Sequence, residues 1–274
     1  MADAKQIEDK TNEPVDELAG SEAPLLEHLI ELRKRLIISA VTVVALMAFC
    51  FIFASTIYDW LLQPYRNAVP NTNLIFTAPQ ELFFTYLNVA FFGAIFLGFP
   101  IIASQIYMFV APGLYKHERK AFLPYLVATP LFFVAGAAMV YFLILPMALH
   151  FFAGMQTEDI EMLTSVSEYL GFAMVLILAF GVSFQLPVIL TLLAQIDLVN
   201  VDQLKKGRRY AIVGILIFAA FITPPDPISQ IGLAVPIYLL YEMAIFSVRI
   251  IEKRRATALA AQEAELTGTS SDQS

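Results

Sequence analysis

Runs of twenty or more nearly uninterrupted apolar residues recur along this chain, and nothing else in it constrains the fold as strongly. The hydrocarbon core of a bilayer is about 30 Å thick, so a helix of about 20 apolar residues crosses it. Backbone polar groups must pair internally there, which selects helices over lone strands. The runs predict spans at 36–58, 82–110, 121–152 and 168–196, then two shorter ones at 210–223 and 228–248. A soluble chain that is 58% hydrophobic and 15% charged, with mean hydropathy +0.70, has too little polar surface to cover itself. The expected fold is an all-α integral membrane protein with six transmembrane helices in one bundle. Pro100, Pro130, Pro146, Pro187 and Pro236 fall inside the runs. Neighbouring helices can satisfy the carbonyls they free, so kinks are expected there and not helix ends.

Charge orients the bundle. Basic clusters stand at 33–35, 116–120, 205–209 and 249–255, whereas Arg66 is the only Lys or Arg in the opposite loops. With Lys5 and Lys10 in the leading tail, the 17 basic residues divide 16 to 1. Basic loops stay cytoplasmic, so both termini are expected inside. Residues 1–23 carry much of the acid and read as a disordered cytoplasmic tail, too acidic for a cleavable signal peptide. Residues 253–274 read as a second disordered cytoplasmic tail, which leaves 24–252 as the membrane domain. Cys50 is the single cysteine and excludes an intrachain disulfide.

Nothing in the sequence points to catalysis or to a cofactor. It has no HExxH, Walker A, GxSxG or paired-cysteine motif. His28, His117 and His150 stand near predicted helix ends, not at mid-membrane where a haem would need them. A secondary transporter of a small molecule usually buries ionisable groups at depth. Here Asp59, Glu81, Glu168 and Asp226 lie at outer ends, and Glu242 lies toward the inner half. The deepest strongly polar side chains are Gln105 and Gln185, amides suited to helix–helix hydrogen bonds worth about 0.6–2 kcal/mol. The fifth span is short, 14 residues or roughly 21 Å. Thr223-Pro224-Pro225-Asp226-Pro227 joins it to the sixth, which begins with Ser229 and Gln230 on its flank. Two readings fit: neighbouring helices tilt, or the bilayer thins locally around a wet recess.

Two carboxylates stand among the cytoplasmic cations. In 24–36, Leu25, Leu29, Leu32 and Leu36 make one helical stripe behind Pro24, which predicts an amphipathic helix on the membrane surface leading into the first span. Glu31 stands four residues before Arg35, the spacing of an exposed helical ion pair. Glu118 sits within Lys116-His117-Glu118-Arg119-Lys120. Spacing alone reads both acids as members of a solvated charged face.

Four stretches taken together resemble the TatC family, the core and receptor subunits of twin-arginine protein translocases. They are 28–36 (HLIELRKRL), 109–119 (FVAPGLYKHER), 180–187 (FGVSFQLP) and 223–230 (TPPDPISQ), and the likeness extends over about 24–252. The resemblance implies six spans in a concave bundle within a bacterial cytoplasmic (inner) membrane. It implies recognition of folded precursors through their twin-arginine signal peptides, with TatA-type and TatB-type single-span partners, self-association and proton-motive force as the energy source. No nucleic acid enters. By match to family positions, Glu31, Arg33, Phe109, Lys116 and Glu118 are expected to bind the signal peptide. Pro64, Gln185, Asp226 and Gln230 are expected to meet partner helices or act on the outer side. Carboxylates accept the planar donor fork of a guanidinium bidentately, which lysine cannot reproduce. Related proteins often carry Glu where this chain has Gln185, so a titrating group at that depth is not part of the expected mechanism.

Overall fold

The computed structural model describes residues 16–69, 74–110, 123–157, 163–222 and 227–271, with the helix ends 16–27 and 261–271 given by their backbone alone. It is helical throughout: α1 (Asp16–Ile52), α2 (Ala54–Ala68), α3 (Glu81–Val110), α4 (Leu123–Met139), a π-helical turn (Val140–Ile144), α5 (Leu145–Ala153), α6 (Val166–Ser183), α7 (Leu186–Gln195), α8 (Val201–Ile222) and α9 (Pro227–Ser271). Among the described residues, five stretches are long and apolar enough to cross a membrane: His28–Ile52, Glu81–Phe109, Tyr125–Ala153, Val166–Gln195 and Gln230–Thr257. The sixth expected span lies in α8, where Lys205, Lys206, Arg208 and Arg209 leave only 210–222 apolar.

Several boundaries differ from those read in the sequence. The first apolar run does not continue to Tyr58: α1 stops at Ile52 and α2 sets off anew, with Phe53 between them (φ −102°, ψ 14°). No Gly or Pro marks this break. Packing makes it, because α2 buries Leu61, Leu62 and Tyr65 in the core. The segment 24–36 is not a separate surface helix. It is part of α1, a single helix of 37 residues and roughly 55 Å, longer than the hydrocarbon is thick. Where unstructured tails were expected, α1 already runs from Asp16 and α9 continues past 252 to Ser271. The alanine-rich stretch from Ala256 to Ala264 favours helix intrinsically.

The prolines divide into two groups. Pro100, Pro130 and Pro236 sit inside α3, α4 and α9. At Pro146 and Pro187, by contrast, the helix restarts, each proline standing in the first turn of the next one. Before Pro146 the chain widens into the π turn, with the Leu145 N–H reaching back to the Val140 carbonyl. Pro64, inside α2, leaves the Trp60 carbonyl without its helical donor. The Tyr141 hydroxyl donates to that carbonyl at 2.8 Å, and the Tyr169 hydroxyl donates to the adjacent Leu61 carbonyl at 2.9 Å.

The core lies between α2, α3, α4–α5 and α6, around Leu61, Tyr65, Val89, Leu170, Leu176 and Phe180. Helices α4 and α6 come closest at two glycines. A methyl group on Gly136 would lie 2.7 Å from the Phe180 carbonyl, and one on Gly181 would lie 2.5 Å from the Phe133 ring. Small residues allow such approach in lipid, where packing and not water exclusion drives association. Helix α1 leans on α3, and α7 and α8 both pack on α9.

Candidate functional site

At the basic end of the bundle, Arg35 and His28 of α1 reach α3. Arg35 Nη2 donates to Glu31 Oε1 at 3.0 Å, and its Nη1 donates to Gln105 Oε1 at 3.3 Å. One turn toward the N-terminus of α1, the His28 ring stacks on Phe109 with centroids 4.3 Å apart and planes at 25°. Phe109 is the penultimate residue of α3, immediately ahead of the segment that carries Lys116 and Glu118. The expected leucine stripe of 24–36 does not make this contact: Leu29, Leu32 and Leu36 are exposed, and His28 and Arg35 are the side chains that meet α3.

Glu31 is half-buried, and among the described residues its Oε2 has no partner. An ionised carboxylate with one oxygen engaged and one open accepts a further guanidinium donor without losing its first. Arg33 is exposed, two residues from Glu31 and therefore on another side of α1. Lys116, Glu118 and Asp226 lie outside the described residues. Glu31 and Phe109 are therefore brought to one end of the molecule, while the second acid is not described.

The other singled-out residues are spread through the fold. Pro64 is buried and supports the α2 contacts above. Gln185 is buried between α6 and α7, where its Nε2 donates to the Thr129 carbonyl at 3.1 Å and the Gly181 carbonyl at 3.2 Å. The Gln185 N–H turns to Val182, so the side chain serves the Gly181 carbonyl that the helix break releases. Its amide thus faces the chain's own helices, and direct contact with a partner helix would require it to turn outward. Gln230, on α9, donates to the Leu216 carbonyl of α8 at 3.1 Å.

Two polar clusters escaped the sequence reading. Glu81, taken there as an acid at an outer helix end, is buried and gathers two loops. Its Oε2 accepts from the Thr77 N–H at 2.5 Å and the Thr77 hydroxyl at 3.0 Å; its Oε1 accepts from the Ser167 N–H at 3.1 Å and the Ser165 and Ser167 hydroxyls. The Ile75–Ser165 bridge lies beside it. The carboxylate thereby occupies the N-terminus of α6, where exposed N–H groups favour an anion. The second cluster joins α8 to α9: Arg208 pairs with Glu242 at 2.7 Å, and Tyr238 donates to the same carboxylate at 2.8 Å. The Ser-x-Ser at 165–167 hinted at a cap, but no local signal pairs it with a residue 84 positions away.

The sequence pattern of one family, described as Sec-independent protein translocase protein (TatC), matches residues 27–236. The chain is 44% identical over 244 residues to the Sec-independent protein translocase protein TatC of Magnetococcus marinus, covering 89% of this chain and 90% of that one. It is 38% identical over 224 residues to the protein of the same description from Escherichia coli K12, covering 81% and 87%. A crystal structure of the twin-arginine translocase receptor TatC is similar with a TM-score of 0.75 at 34% identity, covering 81% of this chain and 98% of that chain.

Proposed function

The chain belongs to the TatC family of Sec-independent protein translocases, and from that premise we propose that the α1–α3 end of the bundle receives the arginine pair of a twin-arginine signal peptide. As a multi-pass membrane protein it is the core subunit of a twin-arginine translocase, not an enzyme, and family membership sets aside a small-molecule transporter. The stacking of His28 on Phe109 carries the proposal. It supports a site in which the open oxygen of Glu31 on α1 faces the segment that begins after Phe109 and holds Lys116 and Glu118. Two carboxylates would each accept one guanidinium fork, while Arg33 and Lys116 repel cations not presented as a pair. Glu31 already holds Arg35, so an incoming arginine joins a carboxylate kept in place by the fold.

In this reading α8 is a sixth span and both termini face the cytoplasm of a bacterial inner membrane, as the 16-to-1 division of basic residues favours. TatA-type and TatB-type helices, and further copies of the chain, dock on the apolar flanks. Pro64, Asp226 and Gln230 serve the outer side of that assembly, and Gln185 serves it indirectly by holding α4, α6 and α7 together. Site-specific photocrosslinking tests the receptor site. A photoreactive residue at 115 or 117, beside but not replacing Lys116 and Glu118, is expected to capture a precursor with an intact arginine pair and not one with a lysine pair. Equal capture of both precursors would remove the assignment.

A further inference from the structure

Helix α8 carries its cations deeper than its neighbour does. Three cross-helix hydrogen bonds fix the antiparallel register of α8 on α9: Arg208 to Glu242 at 2.7 Å, Tyr241 to the Leu204 carbonyl at 2.8 Å, and the Val201 N–H to Glu252 at 2.8 Å. The first cation of α9 beyond that pair is Arg249, seven residues past Glu242 and so about 10 Å farther toward the basic end. Between those levels α9 presents Met243 and Phe246, 51% and 63% exposed, as part of an outward apolar stripe with Leu239 and Ile250. Such a stripe belongs in hydrocarbon. Yet Lys206, Arg208 and Arg209 of α8 lie on the membrane side of Phe246.

Their charges are not equally compensated. Arg208 has Glu242, and Lys205 has Asp202 at 4.0 Å. Lys206 and Arg209 have no carboxylate among the described residues. They are exposed, three positions apart and thus on one face of α8. Tyr210 continues that face: Arg209 lies 4.7 Å from the centre of its ring and donates to its hydroxyl at 3.0 Å. Snorkelling directs both cations toward the N-terminal, basic end of α8, but recovers only part of the 10 Å. The remaining distance is closed most simply by an anion that comes in to meet them.

We propose that Lys206, Arg209 and Tyr210 form a binding site for the phosphate of an anionic phospholipid headgroup, drawn in above the apolar outer face of α8. The acyl chains of such a lipid would lie along Val213 and Ile217, which are exposed and continue the Lys206–Tyr210 face at helical spacing, and which a soluble phosphate cannot exploit. The inference rests on α8 crossing the bilayer and is independent of the signal-peptide site at α1 and α3.

The test is native mass spectrometry of the delipidated full-length protein titrated with phosphatidylglycerol or phosphatidylcholine. Wild type is expected to retain phosphatidylglycerol at least about tenfold better, since each basic residue near a membrane surface contributes roughly fivefold. The K206Q/R209Q protein should lose that preference, and the charge-keeping K206R/R209K protein should keep it, which separates lost charge from lost folding. K253Q/R254Q, changed farther out on α9, should also keep it. Equal retention of both lipids by wild type, an equal loss in K253Q/R254Q, or displacement of the lipid by equimolar inorganic phosphate would each overturn the proposal.

Discussion

Glu81 accepts from backbone N–H groups and hydroxyls of two loops, with donors on both oxygens. Glutamine has nearly the same shape but turns one acceptor into a donor, which would face Thr77 or Ser167 donor to donor. E81Q is therefore expected to lower the thermal unfolding midpoint by several degrees, and to do so about as much as E81A. A midpoint equal to wild type in E81Q would show that the latch does not stabilise the fold. Gln185 presents the opposite case, a buried donor serving two carbonyls. Q185L leaves both without that donor and should cost about 1–2 kcal/mol, read by denaturant titration in detergent. At this scale the sequence identified Gln185 as a polar group inside the bundle but did not reveal its partners, which come from α4 and from its own helix break. It gave no hint that Glu81 is buried, since only the Thr77 donors are local and those of Ser165 and Ser167 lie 84 and 86 positions away.

Among the elements, α2 shows how a proline is accommodated by a distant side chain. Pro64 releases the Trp60 carbonyl, and Tyr141, on the π turn, takes it. Removing that hydroxyl in Y141F should lose about 1 kcal/mol. P64A restores the backbone N–H, so the same Tyr change made in P64A should lose less, and a double-mutant cycle reads the difference. Strictly additive effects would contradict the exchange. The glycine contacts predict larger losses: G136A or G181A forces α4 from α6, because a methyl at 2.5–2.7 Å from a carbonyl or ring cannot be absorbed locally. A reduced unfolding midpoint in both variants is the expected reading. Hydropathy located the apolar runs well because lipid imposes length and composition on any span. It missed the break at Phe53, which no Gly or Pro marks, and it read Pro24 as the first turn of a helix where α1 already runs from Asp16.

At the scale of the whole molecule, orientation rests on the charge division. Accessibility labelling of cysteine variants should place positions 116 and 205 on the cytoplasmic side and 159 and 226 on the other. Finding 159 and 116 on one side would contradict six spans. The receptor site was legible only in part. Four spaced stretches identified the family, and the ring contact between His28 and Phe109 joins two of them in space. The pairing of Glu31 with Arg35 was equally legible from spacing, and it is present, which makes the Glu31 assignment a choice between two uses of one carboxylate. The deciding measurement is the affinity of purified E31Q and R35Q proteins for a purified twin-arginine precursor. Both variants abolish the internal ion pair, but only E31Q removes the anion. The receptor site requires E31Q to bind roughly tenfold or more weakly, the equivalent of one charge-assisted contact, while R35Q binds as wild type or better. Wild-type affinity in E31Q, or an equal loss in both folded variants, would contradict it.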